Sequence, residues 1–203
     1  MAIITGIEVN RGRVIVQADG AEIARLPKTH FEKCPLRAGD DIDPEAWLDR
    51  VAAVQFADAY EAALTSLDAC ARSSRELKNS LKRKGFVPAA IEAAVERLRE
   101  SGLIDDAQYA LRMAETQAGK PVGVYAFKRK LMAKGISEDD AEEALAAFDD
   151  DQQRAACRAA AEKLWRKYEA LPPREARAKL SQALARKGFG WDVIESVTDD
   201  FIE

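Results

Sequence analysis

The chain has 203 residues, of which 33 % are charged and 47 % hydrophobic, and its formal net charge is −4. With few glycines and prolines, this composition is typical of an ordered, helix-rich protein and argues against long disordered tracts. An acidic total also disfavours nonspecific nucleic-acid binding, although net charge hides how the charges are distributed.

The N-terminal sequence and the hydropathy pattern predict a cytoplasmic protein without membrane association. The first residues, MAIITGIEVN, lack the cationic region and the cleavage pattern of a secretory signal. No apolar run approaches the ~20 residues that cross a bilayer. Cys34, Cys70 and Cys157 lie far apart, which predicts reduced, mostly buried thiols instead of disulfides or a zinc site.

The first 45 residues are predicted to be β-rich. Short strands are expected at residues 3–9, 13–18 and 22–26, and a further turn leads into a short extended piece at 37–42. The Asp19-Gly20 pair predicts a tight hairpin, because both residues can adopt positive φ. A segment this small must pack on the rest of the chain to be stable.

A helical period begins at Pro44, which suits the first position of a helix. From there on, apolar residues recur three and four positions apart, as on one face of a helix. Ser73 and Glu76 have the spacing of a capping box, in which the hydroxyl and the carboxylate satisfy backbone amides, and Ser137 with Asp140 repeats the arrangement. These pairs predict two helix starts.

Lys-Gly dipeptides mark a repeat in the helical part of the chain. The glycines Gly85, Gly135 and Gly188 are 50 and 53 residues apart. Apolar residues recur at fixed offsets from each glycine, and the residues four positions before it are Leu81, Leu131 and Leu184. In each unit this pattern predicts a helix that ends at the glycine, a second helix that starts about three residues later, and a third helix that precedes both.

The predicted fold is mainly α, with three tandem three-helix repeats in an elongated array behind a small β-rich N-terminal segment. The predicted boundaries are 1–45 for the β-rich segment, 46–103 for the first repeat, 104–149 for the second and 150–203 for the third.

The glycines of the repeat have a structural interpretation. A glycine in the left-handed conformation lets the amides after it satisfy the last carbonyls of a helix. A lysine just before it also interacts favourably with the negative end of the helix dipole. The predicted helix caps are Ser73, Gly85, Gly135 and Gly188.

Capping does not account for the number of cations beside these glycines. Residues 72–87 hold six cations and one acid, and residues 120–134 hold five cations and no acid, whereas residues 138–151 hold eight acids and no cation. Such segregation creates a local field that suits a polyanion, either DNA phosphates or an acidic protein groove. The candidate partner-binding residues are Arg72, Arg75, Lys78, Lys82, Arg83, Lys84, Lys128, Arg129, Lys130, Lys134, Arg186 and Lys187.

The sequence contains poor signals for catalysis. His30 is the only histidine, which excludes histidine-based triads and multi-histidine metal sites. His30 and Cys34 are four residues apart, but two ligands make no convincing metal site. There is no glycine-rich phosphate loop and no nucleophile elbow. We therefore expect no enzyme activity, no metal, no cofactor and no small-molecule substrate.

Three motifs in order resemble one family. RSSRELKNSLKRKGF at residues 72–86, SGLIDDAQYALRMAE at 101–115 and GKPVGVYAFKRKLMAKGI at 119–136 are similar to elements of RecX, a bacterial regulator of the RecA recombinase. The resemblance implies a non-enzymatic modulator that binds in the groove of the RecA nucleoprotein filament and restrains strand exchange, ATP hydrolysis and coprotease activity. It also implies DNA, single-stranded or double-stranded, as a further partner in some members.

Two alternatives to this interpretation stay open. Three-helix units with a basic helix also resemble homeodomain-like readers, which would make the chain a sequence-tolerant DNA-binding protein. A helical scaffold with no polyanion partner requires only that the charged helix faces be solvated. The chain also departs from the family at Gln117, Tyr125 and Ala126, near which RecX members commonly carry arginine.

Overall fold

The computed structural model describes residues 1–117, 120–146 and 148–201, which contain ten α-helices and one four-stranded sheet. The strands are β1 (Ala2–Asn10), β2 (Arg13–Ala18), β3 (Ala21–Pro27) and β4 (Asp41–Ile42). The helices are α1 (Lys28–Phe31), α2 (Pro44–Ala69), α3 (Ser74–Lys84), α4 (Pro88–Glu100), α5 (Asp106–Gln117), α6 (Val124–Ala133), α7 (Glu138–Leu145), α8 (Asp150–Trp165), α9 (Pro173–Arg186) and α10 (Trp191–Thr198). The chain divides into two compact units, Met1–Asp105 and Asp106–Glu203.

The sheet of the first unit is antiparallel, in the order β3-β2-β1-β4. Asp19 and Gly20 both have positive φ, 48° and 82°, which confirms the predicted hairpin. One face of the sheet packs on the start of α2, where Val16 and Leu26 are buried together with Trp47. The predicted packing of the β-rich segment on the rest of the chain is therefore confirmed.

In the first unit, α2, α3 and α4 form a three-helix repeat. Asp43 caps α2 by accepting bonds from the amides of Glu45 and Ala46. The apolar faces meet in a core whose buried members are Ala63, Leu77, Leu81, Ile91, Val95, Leu98 and Ile104. Except for Ile104, which follows α4, these residues occupy helix positions at which the period of three and four places apolar residues.

In the second unit, α5, α6 and α7 form one repeat and α8, α9 and α10 form another. Their cores are separate: Phe127 and Leu131 lie in one, and Leu180 and Leu184 lie in the other. Thr198, the polar exception in the apolar register, is buried and donates a hydrogen bond from Oγ1 to the carbonyl oxygen of Ile194 at 2.9 Å. The predicted fold class, mainly α with three three-helix repeats after a β-rich segment, is confirmed.

The contacts of His30 and the burial of the cysteines differ from what the sequence suggests. His30 is buried, and its ring nitrogens contact Gln55 and Asp58 instead of Cys34, which lies beyond the end of α1. Cys157 is buried, which raises the pKa of its thiol to about 11, whereas Cys34 is half-buried and Cys70 is exposed, so the prediction of mostly buried thiols is wrong. Across the described residues, no group of three or more His, Cys, Asp or Glu side chains is arranged to hold a metal ion. No described helix has the length and apolar character of a membrane span.

Candidate functional site

Each Lys-Gly turn has the same backbone geometry. Gly85, Gly135 and Gly188 have φ of 94°, 85° and 86°. The amide of the residue after each glycine donates to the carbonyl of the leucine four positions before that glycine. These bonds join Phe86 to Leu81, Ile136 to Leu131 and Phe189 to Leu184 at 3.2–3.4 Å. This is the Schellman arrangement, in which a hydrophobic residue just past the glycine packs back on the last turn.

The start of α3 explains why the first of these helices forms where it does. The hydroxyl of Ser73 accepts a bond from the amide of Glu76, and the carboxylate of Glu76 accepts one from the amide of Ser73, each at 3.2 Å. Leu77 and Leu81 are fully buried on one face, so the cations at the remaining positions lie on the other faces. The cap at each end therefore fixes which cations stand in the last turn, next to the negative end of the dipole.

Some of the predicted partner-binding cations are held within the fold. Lys128 donates to Glu138 at 2.8 Å and to Glu142 at 2.9 Å, both on the acidic helix α7. The hydrogen bond that Lys128 donates to Glu138 is the largest cause of a raised Lys128 pKa, and the same bond holds the pKa of Glu138 below its usual value. Lys78 pairs with Glu92 in the same way, across from α3 to α4. The segregated basic and acidic helices thus neutralise each other in part.

Three further cations also have contacts inside the fold. The guanidinium of Arg72 donates to the carbonyl oxygen of Ser66 at 3.3 Å. The ammonium of Lys134 lies 5.5 Å from the centroid of the Tyr109 ring. Arg75 likewise has an interaction within the described fold. These residues are less available to a partner than their charge alone suggests.

The remaining predicted cations are exposed, and their side chains make no ion pair or hydrogen bond with any residue of 1–117, 120–146 or 148–201. We call them the unpaired cations, and they are Lys82, Arg83, Lys84, Arg129, Lys130, Arg186 and Lys187. Most lie in the last turn of a helix that ends at one of the three glycines, and Lys187 lies between the end of its helix and Gly188. The geometry therefore gives each repeat a small cationic group on a rigid helix end.

Two of the Lys-Gly turns are themselves packing surfaces. In the second unit, the amides of Gly123 and Tyr125 donate to the carbonyls of Lys187 and Gly188 at 3.2 and 3.0 Å. In the first unit, the side chain of Gln55 accepts a bond from the amide of Val87 at 2.7 Å and donates to the carbonyl of Gly85 at 3.3 Å. Both contacts fix the orientation of the helix end that presents the cations.

The β-rich segment brings further arginines to the first of these turns, and none of them is among the cations predicted from the sequence to bind a partner. Arg13 donates from Nη2 to the carbonyl oxygen of Arg83 at 2.6 Å. Arg11, at the tip of the first hairpin, and Arg25, on β3, line the same opening as Arg13. The NRGR turn was a signal of positive charge on a hairpin, but only the folded chain places it beside α3.

Comparison with known proteins gives a consistent result over the whole chain. Three family profiles match, described as the first, second and third three-helix domains of RecX, at residues 59–98, 105–145 and 150–198. The chain is 30 % identical over 196 residues to the regulatory protein RecX of Levilactobacillus brevis, covering 95 % of this chain and 74 % of that protein. It is 29 % identical over 205 residues to that of Limosilactobacillus reuteri, covering 100 % of this chain and 78 % of that protein.

Solved structures give the same picture. A crystal structure of regulatory protein RecX superposes with a TM-score of 0.69 at 29 % identity, covering 98 % of this chain and all of that one. RecX from Lactobacillus salivarius superposes with a TM-score of 0.66 at 29 % identity, covering 73 % of this chain and 97 % of that one. The likeness extends beyond the helical repeats to nearly the full length.

Proposed function

Because this chain belongs to the RecX family of regulatory proteins, we propose that it binds the filament formed by RecA on DNA and lowers the strand exchange, ATP hydrolysis and coprotease activity of that filament. In this proposal it acts by binding alone and catalyses no reaction. Its place is the cytoplasm, where a bacterial recombinase works on DNA, and its role is to regulate recombination and the SOS response.

The observation that supports the proposal most strongly is the recurrence of unpaired cations at the Lys-Gly turns. A filament presents the same acidic and phosphate groups at regular intervals, so a partner with one cationic group per repeat can engage several of them. Each added contact is then effectively intramolecular, and modest single contacts sum to a large avidity. The rigid caps limit the entropy lost when the helix ends dock.

The restraint on the filament results from such multiple contacts. Binding that touches more than one filament subunit favours the arrangement of subunits that fits all contacts at once. ATP hydrolysis and strand exchange both require the subunits to change arrangement, so a ligand with a preference for one arrangement slows them. The proposal therefore needs contacts from more than one Lys-Gly turn.

A charge-reversal experiment tests the proposal. Lys82, Arg83 and Lys84 are changed together to glutamate, and inhibition of RecA ATP hydrolysis on single-stranded DNA is titrated. We expect the concentration for half inhibition to rise on the order of tenfold or more, because attraction becomes repulsion at one of the contacts. Circular dichroism should show near-parent helicity, because these side chains make no ion pair or hydrogen bond with any described residue and the change alters only their interaction with the helix dipole, about 0.3–1 kcal/mol each.

A matched control keeps the change in net charge but moves it elsewhere. Lys33, Arg37 and Arg50 are also exposed cations of the first unit, and none of them belongs to the candidate set. Their triple change to glutamate should leave inhibition near the parent value. Equal loss in both triple variants would show that only net charge matters, and would contradict a contact at the first Lys-Gly turn.

A titration of bare DNA separates the proposal from a sequence-tolerant DNA-binding protein. If the homeodomain-like alternative is right, the parent binds duplex DNA tightly and has no effect on filaments beyond competition for DNA. Under the proposal, inhibition occurs at protein concentrations too low to cover the DNA. A protein that neither binds DNA nor alters the filament ATPase would be a scaffold.

A further inference from the structure

The sheet and the end of α3 meet at a contact that the repeat pattern does not explain. Arg13 donates its 2.6 Å hydrogen bond to Arg83 from the sheet side. A Cβ atom at Gly85 would lie 3.1 Å from the ring Cδ of Pro27 and 3.7 Å from the carbonyl oxygen of Arg25. The first Lys-Gly turn therefore packs against the end of β3, which places the strands that carry the arginines beside Lys82–Lys84.

Cations from the two elements collect at this contact, which we call the sheet–helix junction. Its members are Arg11, Arg13 and Arg25 from the sheet with Lys78, Lys82, Arg83 and Lys84 from α3. A groove of about 740 Å³ runs along it, lined by the cations Arg13, Arg25, Lys78 and Lys82 and the acids Glu22 and Glu92, above an apolar floor that includes Phe86. A smaller opening of about 350 Å³ continues towards Arg11 at the hairpin tip.

Most acids near the sheet–helix junction form ion pairs with its cations. Glu22 is held by Arg25 at 2.8 Å, and Glu92 is held by Lys78. Glu8 lies opposite Ile15 in the strand register, so this acid is on the same face of the sheet as Ile15, which lines the smaller opening. Against these, Arg11, Lys82, Arg83 and Lys84 are exposed and make no ion pair with any described residue. The junction therefore keeps a strong positive excess that the fold itself does not use.

We infer that the sheet–helix junction binds the phosphate backbone of nucleic acid, with the β-rich segment supplying arginines that extend the basic end of α3. Phosphates succeed one another closely along a strand, so one backbone can neutralise cations from both elements at once. Guanidinium groups suit phosphate oxygens because their donors form a planar fork. The groove is open and shares Arg13 and Arg25 with the smaller opening, which suits a chain more than a compact anion.

Lys82–Lys84 belong both to the proposed filament contact and to the sheet–helix junction. The inference therefore deepens the proposed function and rests on it for these residues. It also gives the β-rich segment a role beyond packing. The recurrence of cations at the Lys-Gly turns argues for a repetitive partner, whereas the sheet–helix junction argues for a phosphate chain at the first turn in particular.

The test uses the full chain and labelled DNA without RecA. Arg11→Asn with Lys82→Gln removes two exposed cations, one from each element, and asparagine tolerates the positive φ of 48° at residue 11. Arg50→Gln with Lys33→Gln makes the same change in charge outside the groove. Fluorescence anisotropy with a mixed-sequence duplex and a single strand is recorded between about 50 and 200 mM salt, where phosphate contacts weaken steeply.

We expect the double variant at the junction to bind DNA on the order of tenfold more weakly, and the slope of log affinity against log salt to fall by roughly 2. The control should keep the parent affinity and slope. Parent-like binding by the junction variant, or no salt-dependent DNA binding by the parent, would overturn the inference.

Filament inhibition measured on the same variants separates this inference from the proposed function. Normal DNA binding with lost inhibition would mean that the junction contacts an acidic protein surface, which overturns the inference and leaves the proposed function standing. Lost DNA binding with normal inhibition would support the inference and remove Lys82 from the filament contact.

Discussion

Replacing Gly123 with alanine tests the packing that fixes the third Lys-Gly turn. Gly123 has an ordinary φ of −76°, so its backbone would accept any residue. A Cβ atom there, however, would overlap the carbonyl group of Gly188 and the amide of Phe189, which are backbone atoms that cannot rotate away. The glycine is required by the close approach of two chain segments, and alanine must push them apart.

The expected loss of stability for Gly123→Ala has two contributions. Forcing a methyl group into a packed site costs about 1–3 kcal/mol. Separating the segments also breaks the bonds from Gly123 to Lys187 at 3.2 Å and from Tyr125 to Gly188 at 3.0 Å. Each is worth about 0.5–1.5 kcal/mol. The sum is about 2–6 kcal/mol, which lowers the midpoint of thermal unfolding of the second unit by at least about 8 °C.

Thermal unfolding followed by circular dichroism measures this loss, with Gly12→Ala as the control. Gly12 has a φ of 78° and open space around it, so alanine there suffers only left-handed strain, about 1–2 kcal/mol. The control should therefore lower stability less than Gly123→Ala, although its backbone is the more unusual of the two. The reasoning is refuted if Gly123→Ala is the milder change.

Two further changes test contacts elsewhere in the fold. Gln55→Leu removes the acceptor of the Val87 backbone amide at a fully buried position. Urea unfolding should show that the free energy of unfolding falls by about 1–3 kcal/mol. A smaller fall than that of a glutamine-to-leucine change at an exposed position would contradict this role of the Gln55 side chain. Lys128 holds the pKa of Glu138 below its usual value, so the pair stabilises the fold fully above the unfolded pKa of about 4.3 and loses this contribution as pH falls through the lower folded value. Lys128→Gln should reduce the acid dependence of thermal stability, and an unchanged acid dependence would count against the pair.

The local features of this fold were accessible from sequence because they depend on neighbouring residues. The offset of three residues between each glycine and the next helix places helix starts at Pro88, Glu138 and Trp191, where the structure has them. Ser73 with Glu76 forms both bonds of the capping box. In each case the physical cause lies within one or two turns of chain.

The contacts between distant segments could not be predicted in the same way. Gly123 is an unremarkable loop residue in the sequence, and its need for a missing side chain arises only from Gly188, far along the chain. Gln55 stands in the buried stripe of α2, four residues after Val51 and four before Ala59, and its polar side chain is buried there because it satisfies the backbone of a turn 30 residues later. Contacts of this kind between distant segments leave no periodic pattern in the sequence.

The candidate site was predictable in charge but not in detail. Counting cations around each glycine identified helices that carry exposed cations, but it could not tell Lys128, which is paired with two acids, from Arg129, which is exposed and unpaired within the described part of the chain. The difference depends on which acids of α7 come within reach. The arginines of the β-rich segment were missed because nothing local links a hairpin to the end of α3.

The most direct measurement of the central claim is the rate of ATP hydrolysis by RecA filaments on single-stranded DNA, with and without this protein. We predict a lower rate with the parent protein, and a rate closer to that of untreated filaments when Lys82, Arg83 and Lys84 are glutamates. A rate that the parent protein leaves unchanged, at concentrations matching those of RecA, would contradict the claim.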